Sequence, residues 1–244
     1  MFSRNRVIWN EGLFIKPQHF QQQQRYTEYY IDERLSSVSR YLYGVSEFSL
    51  NPEYLSFGRI AIERAVGIMP DGTAFRIPQE DTLPDALEID DASLANQLVY
   101  LAIPLRSESL MEINWPDTQG TGRYESRRLE VRDVHTVQGD MTTIDVSPMR
   151  IQLMLEKEDR SAYASMAVGR ILEKRPDGSV VMDPDFIPCH LNVVGNLALH
   201  RFVNEISGLM RERAKNIAQR ISSPSQGGVA DVADFMWPQG PQGL

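Results

Sequence analysis

The sequence predicts a mainly β protein with flanking α-helices: an antiparallel β-sandwich entered through one helix and left through a long second one. Three observations predict it. Apolar residues recur at helical spacing after Pro17 and again from Leu199 to Ile221. Between them, from Val45 to Ile187, short β-rich runs alternate with turn residues. Two of the turns are Pro-Asp-Gly, at 70–72 and 176–178, where Pro presets one turn dihedral and Gly takes positive φ. Many short strands at this spacing fit a sandwich or barrel better than a parallel sheet.

The elements follow in order. Residues Val7–Ile15 read as an extended arm, too short for a helix and too apolar to stay free. Pro17 suits a first helical position. The stripe Phe20, Tyr30, Ile31, Leu35, Val38 and Leu42 predicts a helix from about Pro17 to Tyr43, stopped at Gly44. Its exposed face should carry Gln22, Arg25, Glu28, Asp32 and Arg40. Strand candidates are Val45–Leu50, Gly58–Met69, Thr73–Ile77, Leu98–Leu105, Arg127–Val137, Ile151–Leu155, Tyr163–Arg175 and Ser179–Met182. Leu98–Leu105 is continuously apolar, as in a strand covered on both faces. Ile151, Leu153 and Leu155 alternate with polar or Met positions. Two long connections, Pro78–Asn96 and Ser107–Tyr124, interrupt the strands. The first is rich in carboxylates and reads as a solvated acidic loop.

After Pro188 the period changes. Leu199, Val203, Ile206, Met210, Ala214, Ile217 and Ile221 are spaced 4, 3, 4, 4, 3 and 4 apart, close to a heptad seam. Such a seam asks for partner helices. The division expected is a β-sandwich domain over 1–190, including arm and first helix, and a helical segment with its tail over 191–244.

Composition narrows the function. The 244 residues carry a net charge of −8, which argues against nucleic acid as a partner, because phosphate binding needs a positive field. A single cysteine, Cys189, fits a reducing compartment and reads as packed beside a surface His190. Residues 1–6 lack the apolar core of a signal peptide, and no run approaches the ~20 apolar residues of a membrane helix. A cytoplasmic protein without direct membrane insertion is expected.

Catalytic patterns are sparse. Trp115-Pro116-Asp117 resembles a phosphatase acid loop, but the residue five after Cys189 is not Arg, and no phosphate nest follows. His19, His135, His190 and His200 show no metal-ligand spacing. No phosphate-binding glycine loop is evident. The Arg-rich stretches Arg123–Arg132 and Arg211–Arg220 are interleaved with Glu and read as solvated faces. No catalytic residue, metal or cofactor is expected. The Gln run 21–24 offers uncharged donors and acceptors suited to a protein contact.

One stretch is distinctive as a whole: Trp9-x-Glu11-Gly12-Leu13-Phe14-x-x-Pro17-Gln18-His19-Phe20-Gln21-Gln22. It resembles the N-terminal signature of the TssK (ImpJ/VasE) family, baseplate proteins of bacterial type VI secretion systems. The helix ending near Tyr43-Gly44, the Pro70-Asp71-Gly72-Thr73 hairpin and Asp231-Val232-Ala233-Asp234-Phe235 are similar to that family in order. The resemblance covers about residues 1 to 236.

It implies a non-enzymatic trimer whose β-sandwich "shoulder" is like that of phage receptor-binding proteins, followed by a helical "neck" and a C-terminal "head". The shoulder side is expected to contact TssF and TssG. The head is expected to contact TssL and TssM of the membrane complex. Here Met236 is followed by Trp237-Pro238, which breaks a helix. The chain is therefore expected to be shoulder plus first neck helix, without the head and its contact. Expected subunit or partner contacts are Trp9, Leu13, Phe14, Pro17, His19, Phe20, Gln21 and Gln22. Neck packing is expected from Leu199, Val203, Ile206, Met210, Ile217 and Ile221. The contrasting class is a carbohydrate-binding or hydrolytic β-sandwich, which a polar cleft near Trp115 or Asp117 would favour.

Overall fold

The computed structural model describes residues 4–90, 95–107, 110–117 and 120–222. An extended arm leads into helix α1 (Pro17–Val38), then strand β1 (Gly44–Leu50) and a short helix α2 (Pro52–Ser56). Strands β2 (Arg59–Ile60), β3 (Ile62–Ile68), β4 (Ala74–Ile77), β5 (Leu87–Glu88) and β6 (Gln97–Pro104) follow. Then come β7 (Ile113–Asn114), β8 (Tyr124–Glu125), β9 (Arg127–Arg132) and β10 (Met141–Val146). The chain continues through β11 (Gln152–Leu155), β12 (Tyr163–Lys174), β13 (Val180–Met182) and helix α3 (Leu197–Ser222). It falls into two units divided between His200 and Arg201.

Two antiparallel sheets make the sandwich. One is ordered β1-β3-β4, the other β11-β6-β12-β13. A single core joins their inner faces. Ile62, Ala65, Phe75 and Ile77 come from the first, and Val99, Leu101, Ile103, Leu153, Met166 and Ile171 from the second. Alternating residues of a strand reach the same face, so each strand supplies every second side chain to this core. Strand β6 lies inside its sheet, and Leu101, Ala102 and Ile103 are all buried, as its continuous apolar run predicts. Both Pro-Asp-Gly turns close hairpins. Gly72 and Gly178 take φ of +83° and +90°, and Asp71 and Asp177 accept from the N–H groups of Thr73 and Ser179.

Several expectations need correction. Helix α1 ends at Val38, five residues before Tyr43. Ser39 is extended and its N–H returns to Leu35 O at 3.1 Å, closing the last turn. Gly44 is no helix stop. It sits at φ +139°, and a Cβ there would lie 2.5 Å from Cys189 O. The glycine lets β1 approach the segment around Cys189, where Val45 N–H donates to Cys189 O at 2.8 Å and Leu191 N–H donates to Val45 O at 2.9 Å. Cys189 itself is exposed, not packed as expected.

Asp81, expected in a solvated loop, is buried: its carboxylate accepts from Arg76 N–H at 2.8 Å and Met149 N–H at 2.9 Å. Helix α2 and strand β10 had no clear sequence signal. The strand expected over Arg127–Val137 stops at Arg132, where Asp133 N–H meets Asp140 O and the chain turns back. In β11 Met154 is buried along with Leu153 and Leu155, so strict alternation fails there. Strands β7 and β8 form a two-residue parallel pair, Ile113 with Tyr124, outside both main sheets.

Candidate protein–protein interface

The arm turns at Gly12, whose φ of +79° allows Leu13 N–H to reach Asn10 O. It then enters α1 through an extended Lys16. His19 caps this entry: its Nδ1 accepts the Lys16 N–H at 3.0 Å, while its own N–H donates to Lys16 O. Trp9 folds back over the same turn, with ring centroids 6.1 Å from His19 and 6.2 Å from Phe20. Gln22 Nε2 donates to Asn5 O at 2.7 Å, and the Arg4 guanidinium lies 4.7 Å over the Tyr29 ring. These contacts hold the arm along the helix.

Helix α1 has no buried residue, and the stripe expected to face the core faces outward instead. Of the residues read as solvent-facing, Gln22, Arg25 and Glu28 are half-buried, while Asp32 and Arg40 are exposed as expected; Tyr29 is half-buried beside the first three. Phe20, Ile31, Leu35 and Val38, on the stripe read as core-facing, are exposed. Residues spaced three and four apart share one face of a helix, which puts Phe20, Ile31, Leu35 and Val38 on one side and Gln22, Arg25 and Tyr29 on the other, with Glu28 at the border between them.

Polar chemistry explains the inward choice. Arg106, just beyond β6, donates from Nη1 to Glu28 Oε2 at 2.6 Å and from Nη2 to the Tyr124 hydroxyl at 3.3 Å. Burial alone would lower the Arg106 pKa; the bonds to Glu28 and Tyr124 outweigh it and raise the value. Asp32 approaches the hairpin tip, where a Cβ on Gly72 would meet its Oδ1 at 2.9 Å.

Beneath this seam lies Arg123, only 2% exposed. It donates to Asp71 Oδ2 at 2.6 Å, to Thr73 Oγ1 and to Pro104 O at 2.7 Å. Arg123 therefore corrects the reading of its stretch as a solvated face. Its partners lie 52 and 50 residues away, so no local pattern could reveal it. The cleft between α1 and the sandwich is lined by Arg25, Glu28, Asp32, Asp71, Arg106 and Tyr124, among others. Two of its carboxylates, Glu28 and Asp71, are engaged by guanidinium groups.

The outward surface is apolar. Phe14 is 80% exposed, Phe20 61%, Ile31 51% and Leu35 49%, with Ile8, Trp9 and Ile15 also exposed. Scattered apolar residues on a surface are ordinary, whereas several on one helix face make a candidate interaction surface. Of the other residues singled out from sequence, Leu13 and His19 are half-buried, and Pro17 and Gln21 exposed. On α3, Val203, Ile206, Met210 and Ile217 are exposed and Leu199 is half-buried. The side chain of Ile221, and the whole of Asp231–Phe235 and Met236–Pro238, fall outside the described residues. Among the described residues no group of three or more His, Cys, Asp or Glu is placed to hold a metal ion. No described helix is long and apolar enough to cross a membrane.

A β-sandwich that turns an apolar arm and helix face outward has the form of an assembly module. The chain belongs to the bacterial type VI secretion family that includes EvfL, ImpJ and VasE, whose pattern matches residues 19–239. It is 35% identical over 233 residues to the type VI secretion system baseplate component TssK1 of Pseudomonas aeruginosa PAO1, covering 95% of this chain and 52% of the relative. The crystal structure of a TssK superposes with a TM-score of 0.85 at 32% identity, over 96% of this chain and 53% of that one. A chain of the TssK–TssF–TssG baseplate subcomplex shares the fold, with a TM-score of 0.81 at 21% identity over 89% of this chain and 72% of that one. The chain thus spans about half the length of the TssK proteins it matches at over 30% identity.

Proposed function

We propose that this chain is a non-enzymatic assembly module of a type VI secretion baseplate, acting in the cytoplasm. Its work is binding. The β-sandwich over 1–190 serves as the shoulder, and the segment over 191–244 contributes to a neck. The observation that carries this reading is the reversal of α1: a polar stripe faces its own domain and an apolar stripe faces out. Family membership supports it.

The partner at the outward surface is the TssF–TssG wedge. Trp9, Phe14 and Phe20 supply aromatic anchors. Leu13, Pro17, His19 and the Asn5-bound Gln22 fix the arm that presents them, and Gln21 adds an uncharged polar edge. Burying one large apolar side chain contributes about 1.5–3 kcal/mol before ordering costs, so a few such anchors suffice for a stable contact. The α3 seam, with Val203, Ile206, Met210 and Ile217 exposed and Leu199 half-buried, packs together with Ile221 against the same helix of two further copies. Contact with TssL and TssM belongs to the head of the longer family proteins.

The test is co-purification of tagged chain with TssF and TssG. Wild type retains both; Phe14→Ala and Phe20→Ala, folded by circular dichroism, retain several-fold less. Undiminished capture by both folded variants removes the arm from the contact.

A further inference from the structure

Strands β9 and β10 pair with each other and with no other named strand. Every residue of this ribbon is exposed or half-exposed. A lone two-stranded ribbon is marginal in water, and its two outer edges present unpaired backbone groups. Its register sorts the side chains into two faces. Leu129 opposes Ile144, Val131 opposes Thr142 and Arg127 opposes Val146 on one; Arg128 opposes Asp145 and Glu130 opposes Thr143 on the other. The first face is largely apolar, with Leu129 and Ile144 43% and 42% exposed.

Charge divides between the two edges. Strand β9 carries Arg127, Arg128 and Arg132 against one acid, Glu130. Strand β10 carries Asp145 and no base, with Asp140 immediately before it. Arg128 Nε stands 4.0 Å from Asp145 Oδ1 across the ribbon. A positive edge and an acidic edge on one element are complementary to each other, and each can be met by the opposite edge of another copy.

We propose that this ribbon is a joint between copies of the chain, with β9 of one copy adding antiparallel to the free edge of β10 of the next. Repeating the internal register sets Arg128 against Asp145 and Leu129 against Ile144 at the joint. Pairing two β9 edges instead gathers six arginines against two glutamates, and like charges directly opposed in a sheet are destabilising. The contact is head-to-tail, so it closes into a ring when the rotation between copies allows. With three copies the ring has six strands and a continuous row of Leu129 and Ile144 on one face. The inference rests on the reading that the chain self-assembles, and adds a surface that neither α1 nor α3 provides.

The test uses two differently tagged Cys189→Ser chains, co-expressed, one carrying Glu130→Cys and the other Thr143→Cys. Opposed antiparallel residues lie about 4.5–5.5 Å apart at Cα, within disulfide reach. Mild oxidation is expected to give a disulfide-linked pair bearing both tags, absent when either variant is expressed alone. Should either fail to fold, Arg132→Cys with Met141→Cys samples the same register. Light scattering on the unsubstituted chain separates the two ideas. An oligomer without mixed cross-links overturns the ribbon joint and leaves self-assembly standing. A monomer overturns both. Same-tag cross-links from Glu130→Cys alone overturn the head-to-tail arrangement.

Discussion

Glu28 and Arg106, 78 residues apart in sequence, form an ion pair of 2.6 Å that fixes which side of α1 meets the sandwich. A helix ordinarily buries its apolar stripe. Here the chain gives up that burial within one copy and spends α1's polar groups on docking instead. The apolar stripe is then left exposed.

The first prediction concerns this docking. Glu28→Ala and Arg106→Ala should each loosen α1, and their double-mutant coupling should be about 0.5–1 kcal/mol, as befits a partly exposed pair. Amide hydrogen exchange of residues 22–32 should accelerate in both variants, with the β6 and β12 amides unchanged. A coupling near zero with unaltered exchange means that the remaining seam contacts hold α1 alone.

Arg123 is a stronger structural test. Its guanidinium is buried and bonded to Asp71, Thr73 and Pro104 O. Removing one partner of a buried pair leaves the other uncompensated, at about 3–5 kcal/mol. Because Asp71 is 25% exposed at its side chain, Asp71→Asn should cost less than Arg123→Met. Urea unfolding monitored by far-UV circular dichroism measures both.

Much of this architecture was legible in the sequence, and the failures share a cause. The two Pro-Asp-Gly hairpins and the apolar β6 run were readable because a turn or a covered strand is written in consecutive residues. Gly44 was misread because a glycine after a helical pattern looks like a stop, whereas its real constraint is Cys189 O, 145 positions later by number. Arg123 and Asp81 were invisible for the same reason: their partners are distant in sequence. At the candidate interface, the signature residues and the amphipathic period were readable. Which stripe faced inward was not, since periodicity reports that a helix has two faces and not what each one meets.

Gly44 itself gives a third prediction. Gly44→Ala places a Cβ 2.5 Å from Cys189 O at a φ of +139°, so the β1 approach must open. Strain of this kind costs on the order of 1–3 kcal/mol. Gly12→Ala, at φ +79° with nothing near its Cβ, should cost less. Thermal unfolding of the two variants ranks them.

His190 gives a pH dependence. Burial lowers its pKa from 6.5, and the backbone hydrogen bond with Val45 only partly opposes this. Between the folded and unfolded values the unfolded chain binds more protons. Its contribution is therefore complete above about pH 6.5 and is lost as pH falls from there toward the lower folded value. His190→Gln should flatten the stability profile in that window. An unchanged acid-side slope in urea unfolding at stepped pH would exclude His190 as its source.

The central claim is that the outward stripe of α1 serves a partner and not the fold of its own chain. Exposed substitutions ordinarily change stability by less than about 0.5 kcal/mol. The direct measurement is the affinity of the Ile31→Asp/Leu35→Asp double variant for the TssF–TssG wedge, alongside its unfolding midpoint. The account predicts an unchanged midpoint and at least a tenfold loss of affinity. Wild-type affinity in the folded double variant would contradict it.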